Sequence, residues 1–247
     1  MIGDSRLAVL GKADSVALQQ HLSDMAAASY IDGDGTSAAM AEGWSLAVDQ
    51  HLNNGGLDED DERKLLVFAD RFGLSRELLD RKGYWTKVVK AGVIRDLLNG
   101  VVPQRVKANG NLPFTLMANE KLVWLFSGVK YLEGQTPPAN GGYHGARVEV
   151  AKGQYYRPVG FCDNPVETAG RTHIDSGFLA VTTRHFYFGG RDRRLRVRHD
   201  QIVSFTPYTD GVGIQPDADA ARPHVFVTGD GWFTYNLLAN IGNVSGW

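Results

Sequence analysis

The stretch "GFLAVTTRHFYFGGRDRRLRVRHDQIVSFTPY", residues 177–208, alternates apolar and polar positions in short runs broken by Gly, Asp and Pro. That period of two marks half-buried β-strands joined by tight turns. Further strands are predicted in "KLVWLFSGVKYL" (121–132), "ARVEVAKGQYYRPVGF" (146–161), "GVGIQP" (211–216) and "PHVFVTG" (223–229). The run "DGWFTYNLLANIG" (230–242) then changes to a helical period, with Asp230 as cap and Phe233, Leu237, Leu238 and Ile241 on one side. Many antiparallel strands followed by one amphipathic helix suit a small curved sheet or barrel whose open end the helix plugs.

Before about residue 105 the period is helical throughout. "SVALQQHLSDMAAASY" (15–30) places Val16, Leu18, Leu22 and Met25 on one face, and "TSAAMAEGWSLAVDQHLNN" (36–54) repeats Met40, Trp44, Val48 and Leu52 at four-residue steps. "LDEDDERKLLVFADRFGLS" (57–75) opens on an acidic turn, buries Leu65, Leu66, Phe68, Ala69 and Phe72, and stops at Gly73. A short helix is expected over Arg76–Lys82 and a longer one over Thr86–Asn99, ended by Asn99-Gly100 and Pro103. The fold class expected is α+β. A helical bundle domain over 1–105 precedes an antiparallel β-domain over 112–247 that ends in a helix.

Gly177, Leu179, Val181, Thr182, Phe186, Phe188, Ile202, Phe205, Asp210, Gly211 and Phe226 fall in an order that resembles pleckstrin-homology-like domains, in particular the GRAM-type and bacterial members. That resemblance spans about residues 115–241 and implies a seven-stranded PH-like barrel, with no single function attached to the fold. More faintly, the two segments "YIDGDGTSAAMAEGW" and "NNGGLDEDDERKLLVFADRFGLS" resemble the helical domains related to tellurite-resistance B proteins. No binding residue is carried over from this second resemblance.

The 247 residues hold 26 Lys and Arg against 28 Asp and Glu, so the chain as a whole lacks the broad positive field of a non-specific DNA binder. The charge is uneven: residues 1–105 carry 12 basic against 16 acidic side chains, and residues 106–247 carry 14 against 12. One cysteine, Cys162, permits no intrachain disulfide and fits a reducing compartment. The N-terminal apolar run is too short for a signal peptide, and no segment reaches the ~20 apolar residues of a spanning helix. A cytoplasmic protein without a transmembrane segment is therefore expected.

No motif fixes a reaction. "IDGDGTSAAMAE" (31–42) starts like a calcium loop, but Ser37 replaces the sixth-position Gly and Gly43 the terminal Glu, so an inter-helix turn capped by Thr36 or Ser37 is the better reading. The five carboxylates of 58–62 point around a helix and not at one ion. His173, Asp175 and Ser176 contain the ingredients of a triad, yet strict alternation sends Ser176 to the opposite face from His173. Neither a metal nor another cofactor is expected.

The strongest feature is "RDRRLRVRH" (191–199), five arginines and one histidine in nine positions. As a strand it points Leu195 and Val197 inward and lines Arg194, Arg196 and Arg198 on an outer face, with Arg191 and Arg193 in a turn opened by Gly189-Gly190. Guanidiniums about 6–7 Å apart match phosphates or a carboxylate-rich surface. The competing readings are a solvated, charge-protected strand or a patch that docks the acidic first half of the chain. The expected function is a non-enzymatic binding or adaptor protein that recognises a protein partner or an anionic membrane head group through this face. A nucleic-acid-associated accessory protein using the same arginines is the alternative, and a hydrolase comes third.

Overall fold

The computed structural model describes residues 2–11, 20, 21, 24, 32–108, 110–133, 148–151, 154–156, 172–217 and 222–244, with 148–151 and 154–156 given as backbone only. The helix expected over 15–30, the loop following residue 133, His144 and Cys162 lie wholly or largely outside these residues. The chain divides into two compact units, residues 1–95 with 149–153, and residues 96–148 with 154–247.

The first unit carries α1 (Ile2–Val9), α2 (Gly33–Asn53), α3 (Glu59–Arg71), α4 (Arg76–Leu79) and most of α5 (Tyr84–Leu98). The sequence reading did not single out α1. It packs on α2 where Gly43 has no side chain, since a Cβ there would meet the Ile2 carbonyl at 2.6 Å. The four-residue ladder of α2 is buried at Met40, Trp44 and Val48 and half-buried at Leu52, and Trp44 Nε1 donates to the Leu65 carbonyl at 2.9 Å. Leu65, Phe68 and Ala69 of α3 join this core, whereas Leu66 lies on the exposed side of the helix.

Two helix starts decide the ligand readings made from sequence. Helix α2 begins at Gly33, before the expected caps Thr36 and Ser37, because Asp32 accepts from Gly35 N–H at 2.8 Å. Asp32, Asp34 and Thr36 thus form a helix start and not a calcium loop. In α3, Asp58 caps Asp61 N–H at 2.7 Å, Asp60 pairs with Lys64 at 2.7 Å, Asp61 meets His51 at 3.0 Å and buried Glu62 meets Arg95 at 2.6 Å. These four carboxylates turn to four different near partners, with Lys64 also 3.8 Å from Asp61, in keeping with their fan around a helix.

The second unit is built on β1 (Leu122–Glu133), β4 (Thr172–Thr182), β5 (His185–Gly190), β6 (Arg194–Arg198), β7 (Ile202–Tyr208), β8 (Gly211–Pro216) and β9 (His224–Val227), followed by α6 (Gly231–Asn240). Strands β2 (Val148–Ala151) and β3 (Gln154–Tyr156) form a separate two-stranded sheet. The seven strands are antiparallel in the order β6-β5-β4-β1-β9-β8-β7. Among the described residues this sheet is open, with β6 and β7 at its edges, so the expected closed barrel is not formed by backbone pairing. The chain passes from β6 to β7 through the 3₁₀ turn His199–Gln201 and not through a hairpin that would pair them. Side chains span the gap instead: the Phe186 and Phe205 rings meet edge-on at 6.4 Å.

Tyr131, Phe188 and Phe226 stack in the centre of the inner face with ring centroids 5.3–5.6 Å apart. Helix α6 lies on β7 and β8, and its inaccessible Phe233 contacts Trp124 and Phe126 of β1 at 4.7 and 5.9 Å. Asp230 caps it as expected, accepting from Phe233 N–H at 3.0 Å. No helix among the described residues is long and apolar enough to cross a membrane.

Because Phe233 reaches from α6 to Trp124 and Phe126 of β1, Phe233→Ala should destabilise the second unit by about 3–5 kcal/mol. Denaturant unfolding followed by tryptophan fluorescence measures this; a loss under ~1 kcal/mol would make α6 an appendage.

Candidate functional site

Strands β5 and β6 form a regular hairpin with Gly189 opposite Arg194, Tyr187 opposite Arg196 and His185 opposite Arg198. Arg194, Arg196 and Arg198 are exposed and share one face, while Leu195 and Val197 are half-buried on the other, as alternation predicts. Arg198 pairs with Asp200, and Arg194 and Arg196 have no ion pair among the described residues. Arg191 and Arg193 occupy the exposed turn. Register places Arg193 with the inner face, near Tyr131, so the five arginines do not form one surface.

The turn is organised by a residue that sequence reasoning assigned elsewhere. The Asp175 carboxylate accepts from the backbone N–H groups of Asp192 (2.7 Å) and Arg193 (2.8 Å) with one oxygen, and from Ser176 N–H (2.8 Å) with the other. These N–H dipoles hold the Asp175 carboxyl below the usual carboxylate range. Gly190 permits the approach, since a Cβ there would lie 2.3 Å from Asp175 Oδ2. Gly189 and Gly190 therefore belong to β5 and serve close packing, and do not open the turn through positive φ.

A second correction follows from β4. Its register against β1 shifts between Tyr131↔Asp175 and Leu132↔His173, which leaves one extra residue as a bulge. The bulge breaks strict alternation, so His173 Nε2 and Ser176 Oγ, expected on opposite faces, meet at 2.9 Å on the exposed surface. Asp175, however, is committed to the β5–β6 turn. The three residues do not assemble as a triad, because the carboxylate that would orient the histidine faces elsewhere.

The outer face of β4 and β5 is roofed by residues 113–121, an irregular segment to which sequence reading assigned no element before Lys121. Phe114 stacks on Tyr187 at 5.4 Å, and Met117 N–H reaches the Tyr187 hydroxyl at 3.4 Å. Glu120, with its side chain fully buried, receives hydrogen bonds from Thr182 Oγ1 and Tyr187 Oη, both at 2.9 Å, and pairs with His185 Nδ1. Burial and the neighbouring Glu120 carboxylate raise the Tyr187 hydroxyl above its ordinary pKa. Next to this network, His199 Nε2–H donates to the Thr182 carbonyl at 2.8 Å, while Nδ1 is buried without a partner. Burial lowers His199 to about 4. Glu120–His185 has the form of a base and its orienting group, but its other partners are Thr182 and Tyr187, which brace the roof against the sheet.

At the end of the inner face, Tyr131 Oη donates to Glu133 at 2.5 Å and accepts from His224 Nδ1 at 2.8 Å, and burial lowers the His224 pKa. Concavities among the described residues include one of about 160 Å³ beside Glu42 and Lys82, and one of about 70 Å³ beside Thr206 and Gln215. Both are smaller than the roughly 300 Å³ at which small-molecule sites begin. No group of three or more His, Cys, Asp or Glu among the described residues could hold a metal ion.

His199 sets a pH dependence. Its folded-state pKa of about 4 lies below the ordinary 6.5, so the unfolded chain binds the extra proton first. Stability should be full above pH ~6.5 and fall by about 3 kcal/mol as pH drops towards ~4. An NMR titration of the His199 ring should give a midpoint near 4. A midpoint near 6.5 would contradict its burial in the neutral form.

No protein-family model matches the chain, nor does any curated protein or solved structure.

Proposed function

We propose that this chain is a non-enzymatic binding or adaptor protein, built on a PH-like scaffold, that recognises an anionic partner through Arg194, Arg196 and Arg198. The scaffold reading draws support from strand order. Apart from the β2–β3 insertion, β1-β4-β5-β6 form one meander and β7-β8-β9 another, joined by β1–β9 pairing and followed by a terminal helix. Seven strands followed by a helix are what the sequence resemblance implies, here without hydrogen-bonded closure among the described residues.

The observation that carries the function is the arginine stripe itself. Three guanidiniums at alternate positions on an edge strand repel one another unless anions lie between them, and only Arg198 has a carboxylate neighbour among the described residues. Arginine offers carboxylate or phosphate oxygens a planar two-point contact, which suits an acidic protein surface or a lipid head group. Arg191 and Arg193 extend the positive field around the turn that Asp175 holds.

Replacing Arg194, Arg196 and Arg198 together by Gln should change unfolding free energy by no more than about 1 kcal/mol, since exposed charges contribute little to stability. Wild-type protein should bind anionic vesicles or an acidic peptide, lose that binding steeply as salt rises, and lose it again in the triple variant. Duplex DNA as the better ligand would favour the nucleic-acid reading. Equal binding by wild type and variant would reduce the arginines to a solvated strand.

A further inference from the structure

Resting on the reading of an anion-recognising β6, we infer that β6 is the acceptor edge for an extended acidic segment of a partner protein, which joins the sheet as an added strand beside Arg194, Arg196 and Arg198. Within the β5–β6 hairpin, Gly190 N–H donates to the Arg193 carbonyl at 2.9 Å, and His199 N–H donates to the Arg184 carbonyl at 3.0 Å. The register between these two bonds is unbroken. Hydrogen-bonded pairs alternate along an antiparallel ladder, so Leu195 and Val197 turn their backbone groups towards β5. The N–H and C=O groups of Arg194, Arg196 and Arg198 therefore face outward. Among the described residues β6 pairs with β5 alone.

The three residues of β6 whose side chains carry positive charge are thus the three whose outward backbone donors and acceptors have no strand partner among the described residues. A strand laid antiparallel against β6 would exchange backbone hydrogen bonds with those residues and set its own side chains directly opposite their guanidiniums. Acidic residues at i, i+2 and i+4 complete the charge pairing. The intervening positions would lie over half-buried Leu195 and Val197, and so should be apolar. A lipid head group would leave the outward N–H and C=O groups to water. A second copy of β6 would set arginine against arginine, which like-charge repulsion disfavours. The opposite edge, β7, carries no charged side chain and contains Pro207, which lacks an N–H. The hairpin is also held in place before any partner arrives, because Asp175 fixes its turn.

The test uses the full chain and a synthetic heptapeptide alternating Glu and Val, in three forms: unmodified, N-methylated on Glu, and N-methylated on Val. All three carry the same charge. In the added strand the Glu N–H groups face β6 and the Val N–H groups face away. The unmodified and Val-methylated peptides should bind alike and slow amide exchange at Arg194, Arg196 and Arg198. The Glu-methylated peptide should bind roughly tenfold more weakly or worse, through lost backbone hydrogen bonds. Equal affinity of the two methylated peptides would overturn strand addition while leaving anion recognition by the arginines standing. Binding of anionic vesicles with no binding of the unmodified peptide would overturn it in favour of a head group. If neither vesicles nor peptide bind, the inference and the reading on which it rests fail together.

Discussion

The second unit depends on β1 serving two partners at once. Its last four residues, Lys130–Glu133, pair with β9 on one side, and β4 flanks the same stretch on the other. Tyr131 sits at this seam, opposite Asp175 in one direction and Phe226 in the other, with no accessible surface. Earlier in β1, pairing continues with β4 alone, and the ring of Phe233 contacts Trp124 and Phe126 there. An aromatic side chain buries about 150–250 Å², so a short helix offsets a gap that backbone pairing leaves unfilled. Among the described residues the sheet stays open, and β6 ends it on the side where the arginines lie.

Geometry at that edge is set from behind the hairpin. The β4 bulge places Asp175 so that its carboxylate gathers the N–H groups of the β5–β6 turn, and Gly190 supplies the room. On the outer face, Glu120 ties the 113–121 segment to Thr182 and to Tyr187 and His185, the cross-strand partners of Arg196 and Arg198. The arginines therefore project from a hairpin braced on its turn and on its neighbouring face. Such bracing lowers the ordering cost of recognition.

Strands, the terminal helix and the arginine face were legible because each rests on a local period or a single cap. Alternation placed Leu195 and Val197 against Arg194, Arg196 and Arg198, and Asp230 marked the start of α6. What escaped depends on non-local contacts or on breaks in the period. One bulge brought Ser176 to His173 and freed Asp175 for the turn. Glu120 lies in "NEK", a stretch with neither period nor motif, and only its distant partners reveal that it is buried. The helix cap fell on Asp32 and not Thr36 because both residue types cap well, so the choice lies in backbone conformation beyond what residue type encodes. Closure of the sheet was equally illegible, since hydrophobic period says which face is buried and not whether two edges meet.

The central claim is that β6 presents its arginines on a free edge. Residue-resolved amide exchange of the full chain without ligand tests it most directly. Leu195 and Val197 should exchange slowly, because their N–H groups bond to β5, while Arg194, Arg196 and Arg198 exchange as fast as open loop amides. Equal protection at all five positions would mean that the edge is already occupied, and would contradict the account.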